Sequence, residues 1–366
     1  MKKIQNIVLY IFLLITSQEL YSAILTVNNS NPSPGQYTDL QTAIDAAVAG
    51  DTLLIHRSST SYGNAVVTKR LVIIGEGAMP NKAPLSTSTL GTVTLTYNTT
   101  TLEHASKTKL IGLLIGNLNV YEKNATLTNS VDTVEVSYCK INTMTLKNNV
   151  YGLKINNSII NNLTNGNLYG SEIKQNMFFS LSASSSAGSN NLVIGNIFAV
   201  RLVLNGGVVA NNIVYNNTTF ATDVSCKNVI YSNNLFYASS STISTSGFSL
   251  NGNTSINNLF NVDPLFVSPI TFTALFAYTH TVPASGPFAD FHLQAGSPAK
   301  NAGTDGTDLG VYNGPKPWRD GSSTDSRYRY FPLPNAIPVI TGMTINNPVV
   351  NSGGTLQIQL NATTQP

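Results

Sequence analysis

The stretch Asn191-Leu-Val-Ile-Gly-Asn196-Ile-Phe198 carries one short message: apolar residues, then Asn, then two more apolar residues. The message recurs. It reads Val-Ser-Tyr-Cys139-Lys-Ile, Ile-Asn-Asn157-Ser-Ile, Ile-Lys-Gln-Asn176-Met-Phe, Val-Ile-Gly-Asn196-Ile-Phe, Val-Ala-Asn-Asn212-Ile-Val, Tyr-Ser-Asn-Asn234-Leu-Phe and Ser-Ile-Asn-Asn258-Leu-Phe. The intervals are 18, 19, 20, 16, 22 and 24 residues. A strand-like repeat near 20 residues, punctuated by Asn, is the signature of a coiled β-solenoid with one continuous core. The expected fold is therefore all-β, a single parallel β-helix. Asn tolerates left-handed backbone and bonds nearby backbone groups in turns, and stacked Asn side chains bond to one another. Asn157, Asn176, Asn196, Asn212, Asn234 and Asn258 are thus read as a structural ladder, not as sugar ligands. Phe178, Phe198, Phe236 and Phe260 are read as an internal stack.

A solenoid needs its open end covered. Thr38-Asp-Leu-Gln41 has the form of a capping box. Leu40, Ala43, Ile44, Ala47 and Val48 fit one helical face, and Gly50 is a stop. This predicts an amphipathic helix cap within 38–50. Thr92 to Tyr97 alternates as a half-buried strand should. The Ser, Ala and Gly run from Ser180 to Ser189 reads as a loop or a small-residue turn. From Pro264 the repeat gives way to an irregular closing segment, 264–331. Pro332, Pro334 and Pro338 read as a stiff linker. Met343–Val350 and Leu356–Leu360 then flank a turn at Asn351-Ser-Gly-Gly354, which predicts a β-hairpin within 332–366.

Lys2, Lys3 and the apolar run Ile7–Ile15 precede the small residues Ser22 and Ala23, the pattern of a secretory signal over 1–23. The run is too short to span a bilayer, so no transmembrane segment is expected. The reading is an exported chain, secreted or in the cell envelope, cleaved near Ser22-Ala23, with the solenoid over 24–331. Cys139 takes a marker position and Cys226 lies about four rungs later. At ~4.8 Å per rung they are roughly 20 Å apart, too far for a disulfide, which needs Cα atoms within about 7 Å. Both are expected to be buried free thiols.

Charged residues are only 10% of the 366 and net charge is +3. With no long basic run, nucleic acid has little electrostatic purchase. Between residues 90 and 262 the acids are Glu103, Glu122, Asp132, Glu135, Glu172 and Asp223. Glu135 and Glu172 sit two rungs apart, about 9–10 Å, near the limit for an inverting glycosidase pair. Lys174 lies two before Asn176. Counting the preceding rung from Asn156 gives Lys154 the same offset, with Leu153 and Ile173 both inward. Lys154, Lys174, Glu135 and Glu172 would then share one outward face with Arg201 near, and this is the candidate surface patch. His56, His104, His280 and His292 are scattered without metal-ligand spacing, so neither metal nor cofactor is expected. Trp318 is expected to pack over the end of the core.

Three regions carry a family resemblance. Tyr37-Thr-Asp-Leu-Gln-Thr-Ala-Ile44 with Ala49-Gly-Asp-Thr52 and Leu71-Val-Ile-Ile-Gly75 resembles the N-terminal cap and first rungs of the pectin-lyase-like right-handed parallel β-helix superfamily. The Asn-marked rungs are similar to that family's repeat. Phe291-His-Leu-Gln-Ala-Gly-Ser-Pro298 through Asp308-Leu-Gly310 resembles the closing segment of secreted bacterial members. The resemblance covers about 40 to 330 and implies a right-handed coil. It does not fix an activity, because one fold carries many functions. Family lyases generally use a Lys or Arg base, often with calcium, so calcium is implied only if this chain is a lyase. Few acids and bases share a face here. The expected function is non-catalytic, a rigid extracellular or envelope surface for carbohydrate or adhesion. The rival is a polysaccharide lyase, with a glycoside hydrolase behind it, acting on an acidic polysaccharide. Oligomeric state is left open.

Overall fold

The computed structural model describes residues 22–30, 33, 35–77, 88–121, 131–183, 188–215, 226–239, 242–243, 245–268, 290–312, 314, 317–318, 338–345 and 358–364. The chain coils as a parallel β-solenoid, adding strands alternately to two sheets. One sheet has eleven strands, from Ile24–Val27 to Thr254–Ile256; the other has ten, from Ala65–Val67 to Leu259–Phe260. Side chains alternate in and out along each strand. Ile73, Leu110, Val136, Ile155, Ile173, Val193 and Val209 stack in register as one inner row. Val93, Leu118, Met144, Leu163, Leu181 and Leu202 form the facing row. None of these is more than 1% exposed, so a single apolar interior runs along the axis.

A two-residue bend carries the chain from the first sheet to the second. Its first residue has left-handed backbone: Gly112, Tyr138, Asn157, Gln175, Gly195, Asn211, Asn233 and Asn257 take φ between 47° and 65°. Gly and Asn are favoured there because other side chains pay a steric cost. The second residue is the ladder position. Asn176, Asn196, Asn212 and Asn234 are wholly buried. Asn196 accepts at Oδ1 from the backbone N–H of Asn176 (2.8 Å) and from its Nδ2 (3.0 Å). Asn196 in turn donates both ways to Asn212, Asn212 to Asn234, and Asn234 to Asn258.

The ladder differs from the sequence reading in one rung. Asn157 is the left-handed residue of its bend, and Ser158 fills the ladder place. Ser158 Oγ accepts from the Cys139 N–H at 3.1 Å, and the Ser158 N–H donates to Asn176 Oδ1 at 2.8 Å. Ser offers both a donor and an acceptor, whereas Asn is the better left-handed residue, so Asn157-Ser158 sorts in that order. The true intervals are 19, 18, 20, 16, 22 and 24. Cys139 heads the ladder, its Sγ donating to the carbonyls of Leu110 and Ser137. Both cysteines are free and buried, and burial pushes the Cys139 thiol up to about 12. The aromatic column is two stacked pairs, Phe178–Phe198 and Phe236–Phe260, because Val214 stands in register between them.

The helix runs Leu40–Ala46, capped by Asp39 rather than Thr38: Asp39 Oδ1 accepts from Thr42 N at 2.7 Å. Gln41, not needed for capping, accepts from Val66 N and donates to Val66 O. Ala65–Val67 is the end strand of its sheet, so one amide side chain satisfies an otherwise open edge. The helix stops at Ala46, short of Gly50. Beside this end, Arg57 Nε donates to Glu76 Oε2 (2.5 Å) and His56 Nδ1 lies 3.3 Å from Oε1. Burial would raise the Glu76 carboxyl, but the hydrogen bonds from His56 and Arg57 outweigh it and hold it at about 2, below the ordinary 4.5. A depressed folded pKa contributes stability that is complete above the unfolded value and lost as pH falls through about 2. Thermal melts should therefore show Glu76→Gln less stable at pH 7, with a flatter decline between pH 4.5 and 2 than the wild type. An identical acid limb in the two proteins would contradict this.

The described residues of the closing segment lie on the outer wall of the coil. The residues just after the ladder, Ile159, Met177, Ile197, Ile213 and Leu235, face outward and form a second core with Phe266, Phe291, Leu309, Val311 and Trp318. Asn233 Nδ2 donates to Ala302 O, the Gly310 N–H to Asn211 O, and Trp318 Nε1 to Gln175 O. The segment thus climbs the outer wall back toward the middle of the solenoid, and Trp318 packs on that wall and not over the core's end. At Gly310, φ is +91°, a backbone that favours glycine, and a Cβ would lie 3.2 Å from Ile213 Cδ1. Farther on, Pro338–Ile345 pairs antiparallel with Ile358–Thr364. These strands are offset from the expected Met343–Val350 and Leu356–Leu360, and Pro338 opens one of them, where no ladder donor is needed. The predicted turn at Asn351-Ser-Gly-Gly354, Pro332, Pro334, the leader over 1–21 and loop positions 184–187 lie outside the described residues.

Candidate functional site

The outward face of the eleven-stranded sheet carries a row of alternating charge. Lys109, Glu135, Lys154 and Glu172 stand in register on successive rungs, followed by Leu192. Lys109 Nζ lies 3.1 Å from Glu135 Oε2. Lys174 belongs to the neighbouring row, aligned with Asn156, and its Nζ is 2.6 Å from Glu172 Oε2 on the same strand. The structure therefore brings four of the five predicted patch residues together, with one change of partner. Lys154 faces Glu172 rather than sharing the Lys174 position, because Ile155, not Leu153, stacks on Ile173. Lys154 lies between Glu135 and Glu172, in the space that a glycosidase pair must leave for a sugar and water. Arg201 is not part of this face. It stands opposite Ser180 in the ten-stranded sheet.

A feature the sequence reading missed adjoins this row. Asn149–Tyr151 pairs in parallel with Asn167–Tyr169. Val150 and Leu168 are buried, so the Asn and Tyr side chains face out. The Tyr rings stack with centroids 4.8 Å apart and planes at 17°, and Tyr151 is 40% exposed. Asn167 Nδ2 donates to Asn149 Oδ1 at 2.8 Å. The flanking positions in the row are Thr133 and Ser189, side chains too short to cover the outer ring faces. Gly152 and Gly170, at φ of 63° and 58°, then turn the chain into Lys154 and Glu172. The repeated text Asn-x-Tyr-Gly at 149–152 and 167–170 was the available signal.

Upstream of the same face, a groove of about 550 Å³ is lined by Lys69, Arg70, His104, Lys107, Glu103 and Asp132 among others. The Lys107 N–H donates to Asp132 O at 2.9 Å, and these two residues lead into the strands bearing Lys109 and Glu135. Groove, charged row and tyrosine pair thus share neighbouring rungs. Tyrosine combines a large apolar ring with a hydroxyl, which suits the mixed C–H and hydroxyl faces of a sugar. Lys and Glu add donors and acceptors.

Among the described residues, no group of three or more His, Cys, Asp and Glu gathers as a metal site, and no helix is long and apolar enough to cross a membrane. No known family model matches the chain, and neither does any curated protein.

Proposed function

We propose that this is an exported, non-catalytic β-helix protein that holds carbohydrate on a rigid surface. The observation that carries the reading is the Tyr151–Tyr169 stack, with Tyr151 exposed and Tyr169 half-buried, beside Lys154 and Glu172. The mixed charges there are largely matched in sign, which favours hydroxyl-rich ligands over strongly charged ones. Membership of the pectin-lyase-like superfamily, with a right-handed coil, belongs to the same proposal. Its support is the parallel solenoid, the helix at Leu40–Ala46 and the closing segment on the outer wall.

Affinity electrophoresis against a panel of neutral and acidic polysaccharides tests the reading. A mobility shift is expected for at least one glycan. Tyr169→Ala is expected to weaken that binding about tenfold, ~1.4 kcal/mol, without changing the melting temperature. No shift with any glycan would remove the carbohydrate role. Absorbance from unsaturated products, lost in Lys174→Ala, would replace it with the lyase reading.

A further inference from the structure

The ten-stranded sheet presents a different outward face. On five successive strands, two positions flank one buried apolar residue: Thr92-Val-Thr94, Asn117-Leu-Asn119, Thr143-Met-Thr145, Asn162-Leu-Thr164 and Ser180-Leu-Ser182. The register aligns them into two columns. Thr92, Asn117, Thr143, Asn162 and Ser180 make one; Thr94, Asn119, Thr145, Thr164 and Ser182 make the other. All ten side chains are hydroxyls or amides, and none is charged. The array ends at Val66 on one side and at Arg201 and Val203 on the other.

Such an array is a lattice. Its nodes repeat at ~4.8 Å along the axis and at about 6.6 Å along each strand. No register shift interrupts either column across the five strands. Each node can donate and accept. The five Thr nodes are stiff at χ1, so they have little side-chain freedom to lose on contact. A polyanion would want cations, which the array lacks. A protein partner would want an apolar, aromatic centre. What fits is a partner that is itself periodic in two dimensions, uncharged, and a donor and acceptor at every node. Ice is such a partner: it is uncharged and periodic, and every oxygen both donates and accepts.

We infer that this face binds ice, ordering surface water in register with a growing crystal. The single contacts are weak, and their number along a rigid array makes the binding persistent. This site, on the ten-stranded sheet, is separate from the tyrosine pair on its own two-stranded sheet.

The test is freezing-point hysteresis and crystal shape, read by nanolitre osmometry on the purified full chain. The wild type is expected to show hysteresis and faceted crystals. Thr143→Tyr, which raises a ring above the middle of the array, is expected to abolish both. Asn117 is exposed, so Asn117→Tyr serves as a second variant should the first not fold; circular dichroism and melting establish folding. Lys227→Ala, exposed on the eleven-stranded sheet and off the array, should keep full activity. Absence of hysteresis and faceting in the wild type would overturn the inference, as would full activity in a folded Thr143→Tyr or Asn117→Tyr. Array-dependent capture by crystalline chitin or cellulose without any effect on ice would also overturn it, in favour of a solid polysaccharide.

Discussion

Replacing Asn196 by Ala is expected to cost about 3–5 kcal/mol of stability, toward the upper end for one buried side chain. The side chain is wholly buried. Its Oδ1 takes two donors from Asn176, and its Nδ2 serves Ile173 O, Ile194 O and Asn212 Oδ1. Alanine strands those partners where water does not reach, and an orphaned buried polar group costs about 1–3 kcal/mol. The rung at Ser158 shows a milder alternative, because its hydroxyl keeps one acceptor and one donor in use. Asn196→Ser is therefore expected to lose less than half as much. Equilibrium denaturation gives the total, and amide exchange at Asn176 reports the local effect. Equal losses for Ala and Ser would show that shape, not hydrogen bonding, holds the rung.

Trp318→Ala is the second large effect, about 3–5 kcal/mol of packing. The loss falls on the closing segment rather than on the coil. The indole is 4% exposed, sits in the second core and donates to Gln175 O in mid-solenoid. Without it, hydrogen exchange should quicken at the Gly310 and Leu309 amides, which bond to Asn211 O and Ala299 O. Amides of the inner rungs, such as Asn196, should stay protected. Uniform acceleration over both would mean that coil and closing segment unfold as one unit.

The coil was legible because its device is chemical and repeated. A side chain that both donates and accepts, set just before two apolar residues, can be seen without coordinates. The misplaced rung at Asn157 shows the limit: where Asn156, Asn157 and Ser158 can all bend a chain, only geometry assigns the roles. The Lys154 offset failed for a related reason. Leu153 and Ile155 are both apolar, and register depends on which one stacks on Ile173. The outer wall left a trace that was under-read. Ile159-Ile160, Met177-Phe178 and Ile197-Phe198 are apolar on consecutive residues, the mark of a strand buried on both faces. Tyr151 and Tyr169 span only two rungs, too short a run to stand out as periodic.

The outer wall also sets the order in which this molecule can be finished. Ile159, Met177 and Ile197 are sealed by partners made much later, and Gln175 waits for a tryptophan 143 positions downstream. A chain emerging from its N-terminus can wind its rungs as they appear, yet it displays an oily stripe until its closing segment arrives. Long-range closures of this kind are slow and leave intermediates open to aggregation. The closing segment therefore completes the molecule: a chain cut short before it would keep Ile159, Met177 and Ile197 uncovered on the outer wall.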